Sequence, residues 1–353
     1  MSRRFLRATL LFLISATIVR AEPETDFRVG GIYGLTGPLA DFGEEFSRGA
    51  QLYIRTKSIP PRRFELLIED GKFDSMAALS AFKKLAEQHK VRAVHVQGSG
   101  PNLAIKPLSE ARGIILLASA AHPDLLPGSS LVIRHGNLTS EDAETLADFV
   151  LHDLPAGARL ASIYIQNDWG ESYQNAFTAR LEETSPAPAH ISAAHLPSET
   201  DFRPLLLRLI RTSPAALVVN SFGISIASIV EQARQLGFHG KVYINNGLAL
   251  SKPAAARLRG MKDQGLYWQT YPACPSEFSE TFRQYFGSDP GYYSLISFTD
   301  LELLDHAVEK AGPDPRAMVN YIRKLGKYRG RYLELAISPQ GDILIPLIVE
   351  KFS

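Results

Sequence analysis

Cysteine is almost absent from this chain: Cys274 is the only one in 353 residues. No intrachain disulfide can form, so the fold must be held by its core, which a chain of this length can supply. Cys274 lies between Pro272 and Pro275 with no histidine signature nearby, and reads as an inert thiol rather than a nucleophile. Net charge is missing too. Lys and Arg number 38 against 37 Asp and Glu, so no field draws nucleic acid or an anionic membrane. No apolar run reaches the ~20 residues that span a bilayer. The first strand–loop–helix carries no G-x-G-x-x-G, and G-x-x-x-x-G-K-[ST], H-E-x-x-H and G-x-S-x-G do not occur. Gly98-Ser99-Gly100 has the wrong spacing for a nucleophile elbow. The nine histidines are scattered, and His190 and His195 fall on opposite faces of a predicted strand, so no metal site is expected. Glu44-Glu45, Glu141-Asp142 and Glu182-Glu183 fall on predicted helices and read as solvated faces. No catalytic set, metal or cofactor is therefore expected, and the chain reads as a binder rather than an enzyme.

The N-terminus has a different character. Arg3, Arg4 and Arg7 precede an apolar run from Ala8 to Val19, and Val19 and Ala21 suit a cleavage site after Ala21. The expectation is a cleaved leader over residues 1–21 and an exported protein mature from Glu22. Its removal takes four arginines and no acid, which shifts the formal charge from +1 to −3. The absence of a cysteine after the run argues against a lipid-modified N-terminus.

The mature chain alternates strands and helices, which predicts an α/β fold with parallel sheets covered on both faces. Phe27–Tyr33 reads as a strand, Gly34, Gly37 and Pro38 as a loop, and the following stretch as a helix burying Phe46, Gly49, Ala50 and Tyr53. Strands follow at Arg63–Glu69, Arg92–Val96 and Ile114–Leu117. Asp74 is set to cap a helix running to about Gln88, and Pro101 to sit in the first turn of the next. The alternation restarts after Ser140, with a helix to about His152. Strands are predicted at Arg159–Ile165, His190–His195, Ala216–Val219, Lys241–Ile244 and Leu266–Thr270. Three helices follow (Ser276–Phe286, Tyr293–Lys310, Arg316–Leu325). Arg331–Phe352 reads as two strands around Pro339-Gln340-Gly341-Asp342.

Predicted strand ends carry Ser99, Ser119, Trp169, Phe222, Asn246 and Tyr271, with Thr36, Asp41 and Phe42 on the first loop. Open α/β sheets place ligands at such ends. Amides from Gly98 to Gly100, before the Pro101 helix, form a candidate anion cradle. Each residue alone has a plainer reading: Trp169 as a core anchor, Asn246-Gly247 as a turn, the first-loop glycines as a turn.

Together these residues resemble the periplasmic ligand-binding proteins of branched-chain amino acid ABC transporters, the Leu/Ile/Val-binding protein family with the type I periplasmic binding fold. The resemblance covers nearly the whole mature chain. Its most specific element is Gly34-Leu35-Thr36-Gly37-Pro38-Leu39-Ala40, then Gly43-Glu44-Glu45 and Arg48-Gly49-Ala50-Gln51-Leu52. Glu69-Asp70, Asp201-Phe202, Gln232-Ala233-Arg234-Gln235-Leu236-Gly237 and Pro339-Gln340-Gly341-Asp342 add to it. The resemblance implies two Rossmann-like lobes joined by three crossovers: residues 22–138 with 271–328, and 139–270 with 329–353. It implies a small-molecule ligand between closing lobes, a permease in the inner membrane as partner, a periplasmic location and a monomer. Ser99 falls at a carboxylate-holding serine, and Phe42, Trp169 and Phe222 at or beside aromatic lining positions. Ala121 stands where amino-acid binders place a threonine, and Asn246 where they place an acid, both facing the ligand ammonium. An ammonium buried without a partner is costly, so a carboxylate, amide or aromatic ligand lacking one is expected. A branched-chain or other amino-acid binder, or a sensor reporting to a regulatory partner, stays open.

Overall fold

The computed structural model describes residues 27–37, 39–57, 64–261, 265–345 and 347–352. The expected leader, Pro38 of the first loop and Arg63 at a predicted strand start lie outside them.

The first half is a regular alternation: β1 (Phe27–Tyr33), α1 (Ala40–Thr56), β2 (Phe64–Asp70), α2 (Ser75–Glu87), β3 (Ala93–Gln97), α3 (Ser99–Arg112), β4 (Ile115–Ser119) and β5 (Val132–His135). Central strands such as β3 and β4 are buried along their whole length, as parallel strands covered on both faces must be. Asp74 caps α2 as its position predicts, its carboxylate accepting from the amides of Met76 and Ala77 at 3.0 and 2.8 Å.

The second half repeats the plan. α4 (Thr139–Asp153), β6 (Leu160–Ile165), α5 (Asp168–Glu182), β7 (His190–His195), α6 (Arg203–Ile210), β8 (Ala216–Asn220), α7 (Gly223–Gln235), β9 (Lys241–Ile244), α8 (Lys252–Gly260) and β10 (Leu266–Thr270) follow in order. The chain then forms α9 (Ser276–Phe286), α10 (Tyr292–Ala311), α11 (Pro315–Lys324), β11 (Lys327–Arg329), β12 (Glu334–Ala336), β13 (Asp342–Ile343) and β14 (Ile348–Lys351).

Two six-stranded sheets result. Their orders are β13-β5-β4-β3-β1-β2 and β14-β10-β9-β8-β6-β7. Every pairing is parallel except β10 with β14. Each sheet reverses its strand order beside its first strand, between β1 and β3 and between β6 and β8. Those are the points where open α/β sheets form crevices.

α10 packs along α1, so the helices after β10 return to the first sheet. Gly49 permits the close approach: a Cβ there would collide with the Ser294 backbone carbonyl on α10. The chain passes between the sheets after β5, after β10 and between β13 and β14. Asn137 ties two of these passages together, its side chain donating to the Ile345 carbonyl at 2.6 Å and accepting from the Ile345 amide at 2.7 Å.

The C-terminal segment departs from the expected hairpin. The turn at 338–342 forms, with the Gly341 amide donating to the Ser338 carbonyl at 2.9 Å. Beyond a bridge between Ile337 and Ile343, however, its arms separate. β12 pairs with β11, β13 joins the first sheet beside β5, and β14 joins the second. The return to the second sheet therefore falls after Ile343, later than the expected break at 329. Three elements had no sequence signal: β5, α8 and the three-residue β11. β5 is four residues long and contains Arg134, whose Nε donates to the Asp342 carboxylate at 2.6 Å, so its charge is neutralised only by a distant strand. α8 is short and rich in lysine, arginine and alanine.

Candidate functional site

The carboxyl ends of both sheets face one cavity, which with its solvent mouth holds about 560 Å³ of unfilled space. All six sequence-selected residues (Phe42, Ser99, Ala121, Trp169, Phe222 and Asn246) line it, as do Ser119 and Tyr271. Thr36 and Asp41 do not. The Thr36 hydroxyl donates instead to Asp70 at 2.6 Å and helps fix the first loop.

On the first sheet, α3 places Ser99. Gly98 precedes it with φ +94°, a conformation that favours glycine. The Gly98 amide is already engaged with the Ser119 carbonyl at 2.9 Å, so it is not part of the expected anion cradle. Helix geometry leaves the first amides of α3, at Ser99 and Gly100, without intrahelical acceptors, and of these two residues only Ser99 lines the cavity. The Ser99 hydroxyl accepts from the Ala121 amide at 3.4 Å. Phe42 comes from the first turn of α1, its ring centroid 5.3 Å from Phe46 and 5.0 Å from Tyr293.

On the second sheet, Asn167 caps α5, accepting from the Gly170 amide at 2.8 Å, and so sets the turn that carries Trp169. The indole lies 4.3 Å from Phe222 and 5.2 Å from Tyr173 between ring centroids. Trp169 is thus both a cavity wall and part of the core, which joins two readings that the sequence kept apart. The passage after β10 adds Tyr271, whose hydroxyl lies 2.8 Å from that of Tyr293. Burial raises both phenols above their ordinary range.

Asp142 changes the chemistry. It sits in the first turn of α4, is 3% exposed and lines the cavity. One carboxylate oxygen accepts from the Asn137 amide at 2.9 Å and the other from Asn246 at 3.0 Å. Burial pushes this carboxyl up to about 7, against the lowering effect of the two amide hydrogen bonds. The expectation of a solvated face therefore fails at Asp142. It fails at Glu45 as well, whose carboxyl is buried and likewise pushed up to about 7, while Glu182 and Glu183 are exposed as expected. The expectation that the cavity offers no acid to an ammonium is overturned too. An asparagine does occupy position 246, but an acid from α4 stands 3.0 Å from it.

His135, at the end of β5, also lines the cavity, and its Nδ1 lies 2.6 Å from the Asp300 carboxylate on α10. Asp300 faces His95 Nε2 at 3.1 Å, and His95 Nδ1 meets the Tyr33 hydroxyl at 3.1 Å. Burial alone would raise Asp300, but the two histidines outweigh it and hold the carboxyl near 2. No lysine or arginine lines the cavity among the described residues, and no group of three or more His, Cys, Asp or Glu among them is arranged to hold a metal ion. Cys274 is half-buried, and burial, with Glu45 beside it, pushes its thiol up to about 12.

Two parallel sheets with matching strand order, linked by several passages and sharing one cavity, define a two-lobed ligand-binding fold. The chain belongs to the periplasmic binding protein family, whose model matches residues 26–342. Leu/Ile/Val-binding protein homolog 3 of Brucella melitensis is 22% identical over 340 residues, which cover 91% of this chain and 89% of that protein. The fold matches a leucine-binding protein of Thermotoga maritima with a TM-score of 0.80 at 21% identity, over 92% of this chain and 95% of that one. It also matches a solute-binding protein of an ABC transporter from Rhodopseudomonas palustris BisB5, solved with 3,4-dihydroxybenzoic acid. There the TM-score is 0.78 at 18% identity, over 92% and 93% of the two chains. No described helix is long and apolar enough to cross a membrane.

Proposed function

We propose that this protein is the periplasmic solute-binding component of an ABC importer. It captures a small carboxylate, amide or aromatic ligand in the cavity between its two sheets, which act as closing lobes. The observation that carries this reading is the convergence of Phe42, Ser99, Ala121, Trp169, Phe222 and Asn246, from both sheets, on one cavity. Aromatic rings bury the ligand body, and Ser99, with its hydroxyl and its amide at the start of α3, receives its carboxylate. The closed form then presents both lobes to an inner-membrane permease, so that ligand energy favouring closure becomes a signal to the transporter. The protein acts as an exported monomer, with its leader cleaved after Ala21, and turns nothing over.

A second reading rests on Asp142. A buried carboxylate beside Asn246 can accept from an α-ammonium group, which admits a branched-chain or other amino acid. Proton linkage separates the two. An ammonium requires ionised Asp142, so leucine binding should strengthen as pH rises from 5 to 8. A ligand lacking the ammonium is compatible with protonated Asp142 and should weaken over the same range. Calorimetric titration of the mature protein with leucine, 4-methyl-2-oxopentanoate and benzoate at both pH values is the test. Tighter binding of the two acids than of leucine is expected. Tight binding of leucine alone would overturn the first reading in favour of the second, and no binding of any of the three would overturn both.

A further inference from the structure

A second, outer space lies against the ligand cavity. It holds about 1020 Å³ of unfilled space, open to solvent, and is lined by Lys72, Asn167, Asp168, Pro197 and Ser225 among others. The two spaces share only Phe73, Ser99, Trp169 and Phe222. Ser99 is small, and Trp169 and Phe222 both belong to the second sheet. Phe73 is the one large shared side chain from the first. Its ring centroid lies 6.0 Å from Phe42 and reaches Phe222 across the gap at 6.1 Å. The partition between the spaces is therefore aromatic, and Phe73 forms its first-sheet half.

The backbone holds Phe73 in place against its own preference. Lys72 and Phe73 have φ of +53° and +54°, the left-handed region where a bulky residue is an outlier. Both flanks fix that conformation. The Asp70 carboxylate accepts from the amides of Leu35 and Lys72, each at 2.9 Å, and the Asp74 amide donates to the Gly71 carbonyl at 2.9 Å. The Phe73 ring also lies over Gly98, where an added Cβ would meet it at 2.9 Å. Such outliers persist where surrounding structure over-determines them, and they cluster at ligand clamps.

We propose that Phe73 closes the ligand cavity on its solvent side and sets the largest ligand the protein accepts, which makes it a specificity-determining residue. The inference rests on the cavity being the ligand site, and names the ligand class as compact acids that end before the partition. Removing the ring joins the inner and outer spaces, so a longer ligand can keep its carboxylate at Ser99 and extend its tail outward.

The test compares wild type, Phe73→Gly and Phe73→Leu by calorimetry and thermal shift. The probes are straight-chain acids from propanoate to decanoate and phenyl-substituted acids from benzoate to 5-phenylpentanoate. Glycine suits the left-handed backbone and keeps the variant folded, and leucine restores bulk. Wild type should lose at least ~10-fold in affinity beyond a limiting length, the discrimination a fitted pocket wall gives. Phe73→Gly should extend that limit, raising the ratio of long-acid to short-acid affinity at least ~10-fold over wild type, and Phe73→Leu should restore the limit in part. The same limiting length in wild type and Phe73→Gly overturns the inference and leaves the binding reading standing. Failure of every acid to bind any of the three proteins overturns the carboxylate reading, and the size limit with it.

Discussion

Asp142 shows how a single residue's role turns on its phase within a helix. Neighbours on a helix point about 100° apart, so one member of an acidic pair can face water while the other faces the interior. Glu141 serves α4 locally, accepting from the Leu138 amide at 3.1 Å, whereas Asp142 shares the buried side with Leu146 and Val150. The spacing 142–146–150 was the available signal, masked by reading the two acids as a unit. The burial has a consequence for stability. A carboxyl raised from its ordinary value to about 7 costs stability when ionised, and the cost is full above pH 7 and gone near pH 4. At ~1.4 kcal/mol per pH unit the penalty reaches a few kcal/mol. Asp142→Asn should therefore be more stable than wild type at pH 8 and nearly equal to it at pH 4.5, as measured by urea unfolding. Equal stability at pH 8 would remove the claim that burial dominates at this residue.

At the scale of elements, close packing explains which sequence features mattered. Gly43 and Gly49 lie on α1 in the most specific stretch of the chain. A Cβ at Gly43 would strike the Gly34 carbonyl, and one at Gly49 the Ser294 carbonyl. These glycines let α1 lie against the β1 loop and against α10, which puts Phe42 at the cavity beside Tyr293. Gly49→Ala should force the two helices apart and cost about 1–3 kcal/mol, the range for overpacking a core. Gly260→Ala, at the end of α8 with no atom near its added Cβ, should stay within ~0.5 kcal/mol of wild type. Thermal unfolding of both variants measures the contrast, and equal effects would show that the α1–α10 approach is not tight. Elements with strong local signals, such as β1 and the Asp74-capped α2, were legible. β5 and β13 were not, because β13 is only two residues long and β5 carries Arg134, whose charge is met by Asp342 on β13 across the sheet.

For the whole molecule, the Phe73 ring of the first sheet stands 6.1 Å from that of Phe222 on the second, so the two sheets meet on this side of the cavity. The passages that link the sheets, two of them tied through Asn137 and Ile345, lie at the inner end of the cavity. Opening about them would separate the aromatic partition and expose the cavity. Small-angle scattering of the mature protein should show the radius of gyration fall when a bound acid is added. An unchanged radius at saturation would sink lobe closure as the response to ligand.

The sequence by itself determined the strand–helix alternation, the family, and eight of the residues that face the cavity. Those features are carried by local periodicity, by caps and by residues at strand ends, where chain order and spatial position coincide. Only the tertiary structure decided the rest. It assigned the last strands to different sheets, because their partners lie some 80 to 200 residues away. It placed an acid from α4 beside Asn246, because two elements about a hundred residues apart meet at one corner. It put Phe73 across the mouth, because a left-handed backbone angle leaves no mark in the order of amino acids and is fixed by hydrogen bonds to a neighbouring loop.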